Sequence, residues 1–410
     1  MTVPDSGGSN GSTSWDVADA QELDSLGFAT GVEMEALSET DVAPVGGSNE
    51  PVEIRNPFDP DKIDIITRTP TVELLLSRIR DGRIDLEPEF QRQRGIWSPR
   101  AKSRLIESLL LRIPLPTLYA AEVGDEEGSW TVVDGIQRLT AISEFVEPSA
   151  IRAEPLVLRD LEYLSQYQGS RFSDLPGRLQ TRLREAELVV HLIRLGTPEP
   201  VKFNIFARIN TGGTPLSSQE LRHALIGGPA RDCLRRWAES EEFRRATGNS
   251  IRSERMADRE MVLRFVAFHL AGPQHYRSPD FDDFLRKAML RLNELSRSDT
   301  ERLERDFLDS LESAHRIFNP YTFRKRSLNN PERLSPVNKA LFETITVNLA
   351  AVAPDQRQQL ARHRERVHEH FLGLMDDDYF VSAVSVGTGA VSRVRYRFDA
   401  IRQLFAAVLK

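Results

Sequence analysis

The sequence contains almost no cysteine and no long apolar run. Cys233 is the single cysteine among 410 residues, which excludes an intramolecular disulfide framework and a metal site built from clustered cysteines. No apolar stretch approaches the roughly 20 residues that a membrane-spanning helix requires. The start of the chain has no basic and apolar leader of the kind found in secreted proteins. We therefore expect a cytoplasmic protein with no membrane partner.

Negative charge is concentrated at the start of the chain. The net charge is −7, yet residues 1–58 alone hold eleven acidic residues and one basic residue, so the rest of the chain carries +3. This segment is rich in Gly and Ser and poor in aromatic residues, a composition that buries too little apolar surface to offset the entropy of ordering. We predict a disordered acidic tail. The mildly basic remainder permits contact with nucleic acid without indicating it.

After the tail, the sequence predicts an α+β protein that begins with a small α/β core over residues 59–228. The predicted strands are 118–123, 130–133 and 188–195, of which 130–133 is an apolar, β-branched run. Thr69-Pro70 and Ser98-Pro99 each predict an N-cap followed by proline at the first helical position. Alternating strands and helices of this kind are typical of a layered α/β domain.

Residues 229–410 predict an α-helical domain, because apolar residues recur there at helical spacing almost throughout. The predicted helices are 230–239, 258–270, 280–296, 300–318, 336–351, 355–375 and 399–409. Just before this domain, Ser217 and Glu220 have the spacing of a capping box that starts another helix. Residues 150–180 follow no regular pattern and are predicted to be an irregular insertion.

One predicted strand turns directly into a helix at Asp134-Gly135. The first backbone N–H groups of such a helix lack partners and lie at the positive end of its dipole, so they form a natural anion site. Gln137 and Arg138 lie in the first turn and reach the same point, which suits a phosphate group. A simpler interpretation stays open, in which Arg138 is solvated or paired with Asp134 and no ligand is involved.

Two further polar loops interrupt the apolar pattern of the core and are candidates for the same site. Their candidate binding residues are Gln91, Arg92, Arg208, Asn210, Gly212 and Gly213. The guanidinium groups of Arg92 and Arg138 suit phosphate oxygens, and the glycines allow close approach of the backbone. Asp134 is a candidate Mg²⁺ ligand, and Asn210 is a candidate contact for a ribose or a base edge.

Five motifs follow one another in the core, with Trp97 after the first. They are Pro88–Arg92, Leu105–Leu110, Ile113–Pro116, Val133–Thr140 and Phe206–Leu216. Together they resemble the N-terminal domain family of GmrSD-type modification-dependent restriction enzymes, which belongs to the ParB/sulfiredoxin-like superfamily. Stretches within 280–284, 338–342 and 392–409 also resemble the family, so the likeness covers about 60–410 and leaves out the acidic tail.

The resemblance implies a ParB/sulfiredoxin-like core that binds an NTP with Mg²⁺ in prokaryotic anti-phage defence. The family's Asp-Gly-Gln-Gln-Arg and Phe-Gln-Arg motifs line its NTP site. The matching positions here are Asp134, Gly135, Gln137, Arg138, Gln91 and Arg92. Asp134, Gln137 and Arg138 are the catalytic candidates. Ile136 stands where the family has its first Gln. The sequence therefore leaves undecided whether a bound NTP is hydrolysed, while NTP binding is still expected.

Larger relatives add a His-Asn-His nuclease domain, and this chain is expected to be a stand-alone form that lacks it and acts with a separate effector protein. His363, His368 and His370 lie in one charged helix and are expected to form a solvated face. His191 is expected to be a hydrogen-bonded core residue. His223 is the one histidine left open as a pocket residue.

Two basic stretches interleave arginine with aromatic residues, a pattern compatible with contact to the DNA backbone and stacking on bases. The candidate DNA-binding residues are Arg324, Lys325, Arg326, Arg393, Arg395 and Arg397. Alternation over 391–398 also describes an amphipathic strand, whose charged face would simply be solvated. DNA is therefore an expected partner through one or both stretches.

Three functional hypotheses follow from these patterns. The leading one is an NTP-binding sensor or regulatory component of a DNA-directed restriction or defence system, with NTPase activity open and favoured over nuclease activity. The second is a metal-dependent DNA nickase that uses Glu87, Glu89 and Asp134 as ligands. The third is a non-catalytic DNA-binding interaction protein that retains a relic pocket.

Overall fold

The centre of the fold is a five-stranded mixed sheet. The computed structural model describes residues 32–33, 63–86, 97–122, 129–198, 201–203, 205–206, 217–277, 280–326 and 334–410. The strands are β1 (Ile65–Arg68), β2 (Ile84–Asp85), β3 (Leu118–Glu122), β4 (Trp130–Asp134) and β5 (Val190–Ile193). Their order is β1-β5-β3-β4-β2, with antiparallel β1/β5 and β3/β4 pairs and parallel β3/β5 and β2/β4 pairs. The three predicted strands are therefore confirmed, with β5 shorter than expected.

The β3/β4 hairpin contains a bulge that extends β4 to Asp134. Ala120 pairs with Val132, whereas the preceding Tyr119 pairs with Asp134, so Val133 is the extra residue. A bulge of this kind changes the direction of the side chains that follow it. The last residue of β4 is thereby paired into the sheet.

Helices also form much of the first part of the described chain. They are α1 (Val72–Arg80), α2 (Pro99–Leu110), α3 (Ile136–Val146), α4 (Gly177–Glu185), α5 (Ser218–Leu225), α6 (Pro229–Ala238), α7 (Glu241–Ala246), α8 (Ala257–Ala271) and α9 (Phe281–Glu294). The later helices are α10 (Arg297–Phe318), α11 (Lys339–Ala350), α12 (Pro354–Arg362), α13 (Arg364–Met375), α14 (Asp378–Ser385) and α15 (Val391–Leu409). The predicted α+β class is confirmed.

The N-caps show how far local sequence determines where the helices begin. Ser98 caps α2 by accepting the Ala101 N–H at 3.2 Å, and Ser217 with Glu220 forms a complete capping box on α5, both as predicted. The prediction of Thr69 as the cap of α1 is wrong. Thr71 is the cap, because the Pro70 carbonyl accepts the Leu188 N–H at 3.0 Å and is tied to the neighbouring segment.

Apolar side chains cover both faces of the sheet. One face carries Leu118, Ala120, Val132 and Val190, which pack in one cluster with α1 to α4. The opposite face carries a smaller cluster of Ala121, Val133, Ile193, Phe206, Leu221 and Leu225. Alternation along each strand therefore sorts the side chains between two helical layers.

Glu107 of α2 organises the irregular insertion predicted over 150–180. Its buried carboxylate accepts the backbone N–H groups of Glu162, Tyr163 and Leu164 at 3.0, 2.7 and 2.8 Å. Burial by itself would raise the pKa of the Glu107 carboxyl, but these three donors outweigh it and hold the pKa below its ordinary value. The insertion is thus anchored by a charge-assisted network.

The described residues group into two compact units. The sheet unit comprises those within 63–240 and 253–305, and the helical unit those within 32–33, 241–252 and 306–410. This grouping differs from the boundary between residues 228 and 229, which stays a prediction about independent domains. None of the helices in the described ranges is long and apolar enough to cross a membrane.

The helical unit has its own aromatic core and a buried ion pair. The ring of Phe342 lies 4.8 Å from that of Phe323 and 6.0 Å from that of Phe243, measured between centroids. Arg397 of α15 is fully buried, donates to the Ala383 carbonyl at 3.2 Å and pairs with the fully buried Glu343. The unit therefore contains a salt bridge that has no access to water.

Two predicted helices differ from the observed ones in this unit. The helix predicted over 355–375 is broken at His363, which separates α12 from α13. The last helix begins at Val391 rather than Asp399, so the alternative of an amphipathic strand over 391–398 is wrong. The buried residues Val394, Phe398 and Ile401 recur at helical spacing and continue one apolar face.

We predict that Arg397→Met destabilises the protein by about 3 to 5 kcal/mol, because it leaves the Glu343 carboxylate buried without its partner. The double variant Glu343→Leu/Arg397→Met removes both charges and is expected to recover most of that loss. Urea denaturation of the two variants and the parent measures both effects. A double variant as unstable as Arg397→Met would contradict this account.

Glu107→Gln is expected to lower the free energy of unfolding by about 1 to 3 kcal/mol at neutral pH. The amide oxygen is a weaker acceptor than a carboxylate, and the amide N–H group repels the backbone N–H donors. A carboxyl with a lowered pKa stabilises the fold above its unfolded pKa of about 4.3, and this contribution is lost as the pH falls through its folded pKa. The difference in free energy of unfolding between parent and variant, measured by urea denaturation, should therefore become smaller below about pH 4. A difference that does not change with pH would contradict the claim that the ionised carboxylate of Glu107 provides this stability.

Candidate functional site

The candidate site lies where β4 becomes α3. Asp134 ends the strand, Gly135 has φ +96° and serves as the N-cap, and the helix begins at Ile136. A Cβ on Gly135 would lie 2.0 Å from Leu118 Cδ2 and 3.0 Å from Arg138 Nη2. Glycine is therefore required here both by the left-handed backbone and by the lack of space.

The N-terminus of α3 has no side-chain cap. At this end of the helix the Leu139 N–H donates to the Gly135 carbonyl at 3.0 Å. The N–H groups of Ile136, Gln137 and Arg138 precede it, and such groups have no acceptor within their own helix. Together with the helix dipole they favour an anion at this point. Gln137 is half-buried beside them.

Arg138 is bonded to the protein itself. Its guanidinium, buried to 8 % exposure, donates to the Pro116 carbonyl, to the Thr117 carbonyl at 3.3 Å and to Asp134 Oδ2 at 2.8 Å. Burial lowers the pKa of Arg138, while the charge of Asp134 and its hydrogen bond act in the opposite direction. The interpretation in which Arg138 pairs with Asp134 is the one observed. Direct contact of Arg138 with phosphate stays a prediction.

A row of polar side chains crosses the sheet at the level of Asp134. Thr67, His191, Tyr119 and Asp134 are directly paired across β1, β5, β3 and β4, and paired residues place their side chains on the same face. Thr67 Oγ1 lies 3.0 Å from His191 Nδ1, and the Tyr119 and His191 rings are 5.2 Å apart. The polar row therefore adjoins the strand-to-helix junction.

Sequence patterns did not single out Thr67 or Tyr119. Their place in the row follows from strand register and from the bulge in the β3/β4 hairpin, and neither leaves a local signal. His191 makes the expected hydrogen bond but is only half-buried. His223, left open as a pocket residue, is buried on α5.

Asp134 is suited to a magnesium ion that arrives with a nucleotide. Its side chain is 42 % exposed, and the bond to Arg138 uses one of its two oxygens. Mg²⁺ commonly takes one or two carboxylates together with phosphate oxygens and water. In the described ranges, no three His, Cys, Asp or Glu side chains are grouped as metal ligands. Binding of Mg²⁺ by Asp134 stays a prediction.

The other predicted residues of the nucleotide site cannot be placed beside this junction. Gln91, Arg92, Arg208, Asn210, Gly212 and Gly213 lie outside the described residues. So do Glu87 and Glu89 of the nickase hypothesis. Their participation stays a prediction.

The structure corrects two of the candidate DNA contacts. Arg324 is buried and donates to the Thr247 carbonyl at 3.1 Å and to Ser250 Oγ at 2.8 Å. Arg397 is buried in its ion pair with Glu343. Neither guanidinium is accessible to a DNA backbone, because internal acceptors occupy it.

The other four basic candidates are in mixed surroundings. Lys325 pairs with Glu33, and the Arg326 guanidinium lies 4.3 Å from the centroid of the Tyr321 ring. Arg393 donates to the Val386 carbonyl, whereas Arg395 is exposed. DNA contact through these residues stays a prediction.

The three histidines between residues 363 and 370 do not act alike. His363 and His370 are exposed, as predicted for a solvated face. His368 is half-buried: its ring stacks on Phe318, and its Nε2 lies 2.7 Å from the Ile317 carbonyl. Burial lowers the pKa of His368, although its hydrogen bond opposes this shift. The ring is therefore held by packing.

The fold and the junction define an α+β domain with a polar site where a central strand becomes a helix. Residues 72–227 match the family model described as GmrSD restriction endonuclease, N-terminal domain, so this part of the chain is similar to that domain. The resemblance of the sequence motifs is confirmed over this range. Neither the curated proteins nor the solved structures gave a match. The family supports a role as a component of a restriction or anti-phage system.

We predict that Gly135→Ala destabilises the fold by about 2 to 5 kcal/mol, the sum of left-handed strain and overpacking against Leu118. Gly82→Ala is the matched control, because Gly82 has φ +70° and no atom within 4 Å of the added Cβ. Gly82→Ala should lose only the part of the stability that comes from left-handed backbone strain, about 1 to 2 kcal/mol. Equal losses in urea denaturation would show that the contact with Leu118 is not decisive.

Proposed function

We propose that this chain is an NTP-binding sensor or regulatory component of a prokaryotic, DNA-directed restriction or anti-phage system. The observation that carries the proposal is the uncapped N-terminus of α3, which follows the left-handed Gly135 and lies beside the polar row. Three backbone N–H donors at one point suit the oxygens of a phosphate chain. The family match over 72–227 supports the restriction context.

Each residue of the junction has a distinct part in this proposal. The N–H groups at 136–138 bind phosphate oxygens, and the Gln137 amide adds a donor at the same end of the helix. Asp134 holds Mg²⁺, which neutralises charge on the phosphates and fixes their geometry. Arg138 is a positioning residue that keeps Asp134 oriented and the 116–117 backbone in place. Tyr119 and His191 offer ring surface next to this point for the base or ribose.

The apolar Ile136 favours binding over turnover. Its side chain is half-buried and packs against the main apolar cluster, so it offers no group that orients an attacking water. Hydrolysis of a bound NTP is therefore expected to be slow or absent. A protein that binds without rapid turnover suits a sensor that reports nucleotide occupancy to a separate effector protein.

Calorimetric titration with ATP, GTP, CTP and UTP in Mg²⁺ tests the proposal. We expect micromolar binding of at least one nucleotide, weakened about tenfold or more, or 1.4 kcal/mol, by Asp134→Asn and by Gln137→Ala. Asp134→Asn retains an acceptor for Arg138 but loses the charge that holds Mg²⁺. Chelation of Mg²⁺ should reproduce its effect on the parent protein.

Gln358→Ala, at an exposed position of α12, is the matched control and should bind like the parent. Urea denaturation of all variants separates a lost site from a lost fold. If no nucleotide binds the parent, or if both junction variants bind as tightly as Gln358→Ala, the junction is not the nucleotide site.

A further inference from the structure

A cleft lined by arginine lies between the end of α2, the irregular insertion and α4. Its volume is about 450 Å³. Its polar lining consists of Arg112, Gln166, Tyr167, Arg178 and Arg182. We refer to it as the arginine cleft. It is separate from the strand-to-helix junction, and no sequence motif pointed to it.

The charge of the arginine cleft is unbalanced. Every charged side chain in its lining is an arginine, and Arg178 and Arg182 are four residues apart on α4, so they share one helix face. Arg182 Nη1 donates to the Leu110 carbonyl at 2.9 Å, which holds it in place. In the part of the chain that the structure describes, Arg112 and Arg178 have no ion pair. Like charges gathered in this way favour an anionic ligand.

Arg112 occupies a backbone position that favours glycine. After α2 ends, the Ile113 N–H reaches the Ser108 carbonyl at 2.8 Å and the Arg112 N–H reaches the Leu109 carbonyl at 3.0 Å. These two bonds form a Schellman motif whose left-handed residue is Arg112, with φ +61°. An arginine there is strained. Strained backbone positions cluster at ligand sites, so the position of Arg112 beside a cleft makes it a candidate for contact with a ligand.

The wall opposite α4 carries aromatic side chains on a fixed backbone. Tyr167 lines the cleft, and Tyr163, next in the chain to the cleft residue Leu164, is 68 % exposed. Glu107 holds the backbone N–H groups of Tyr163 and Leu164. Tyr167 itself is half-buried and packs in part against the main apolar cluster. Guanidinium groups beside aromatic rings are the combination that binds phosphates and stacks on unpaired bases.

We propose that the arginine cleft binds the phosphate groups of a DNA strand. Arg112 and Arg178 contact phosphate oxygens with their planar guanidinium groups, whose geometry matches such oxygens. Tyr167 stacks on an unpaired base. The cleft thereby replaces Arg324 and Arg397, which the fold buries, as a DNA contact of this chain. It does not depend on nucleotide binding at the junction.

The test uses a fluorescein-labelled single-stranded oligonucleotide of about 30 nucleotides and its duplex, with anisotropy measured at several salt concentrations. We expect salt-dependent binding, with the single strand preferred. Arg112→Gly should weaken it by about threefold to tenfold and lower the slope of log affinity against log salt by about 1. Arg178→Gln should act in the same direction. The urea midpoint of Arg112→Gly should be unchanged or higher, since glycine relieves the strain.

Arg152→Gly is the matched control. Arg152 is exposed, has φ +52° and lies outside the cleft, so its replacement removes the same charge and the same strain. It should leave DNA affinity and the salt slope unchanged. Equal effects of the two glycine variants, or no DNA binding by the parent, would overturn the proposal.

A further titration with ATP separates the two phosphate sources. We expect Arg112→Gly to bind ATP like the parent. If Arg112→Gly loses ATP binding and keeps DNA binding, the cleft is a nucleotide site and the assignment to DNA is wrong. If the junction variants lose ATP binding while only the cleft variants lose DNA binding, both sites are assigned.

Discussion

The buried guanidinium of Arg138 is the contact on which the arrangement of the site depends. It connects the first turn of α3 to the carbonyls of Pro116 and Thr117 just before β3, and to Asp134 at the end of β4. Gly135 follows from this contact, because Arg138 and Leu118 fill the space that a Cβ would need. A single charged side chain thus holds the strand ends, the turn and the helix together at one point.

Local signals in the sequence predicted much of the fold. Ser98 and Ser217 cap helices as their spacing indicated, and mainly apolar runs marked β3, β4 and β5. Non-local contacts explain the failures. Arg397 is buried in an ion pair with Glu343, which lies 54 residues away in the chain. Tyr119 joins the polar row only because the β3/β4 hairpin contains a bulge. Of the ten predicted residues of the nucleotide site, the four at the junction are observed, whereas the other six lie outside the described part.

Arginine has two different uses in this protein, and composition alone does not separate them. The guanidinium groups of Arg138, Arg324 and Arg397 are buried, and backbone carbonyls accept their donors. Burial lowers the pKa of Arg138 and Arg324, yet an arginine remains charged at any ordinary pH. Arg112 and Arg178 instead line a cleft. The useful distinction is whether protein acceptors already occupy the guanidinium donors.

The segment from Arg112 to Thr117 has a consequence for communication within the sheet unit. One end lies in the arginine cleft and the other end is held by Arg138 at the junction, and Pro114 and Pro116 restrict the backbone between them. A stiff connection of this kind transmits displacement instead of absorbing it. If DNA and a nucleotide bind at its two ends and one of them changes the affinity of the other, thermodynamic linkage makes the change reciprocal and equal in factor. Such reciprocity would make the segment a coupling element that reports DNA occupancy as nucleotide affinity.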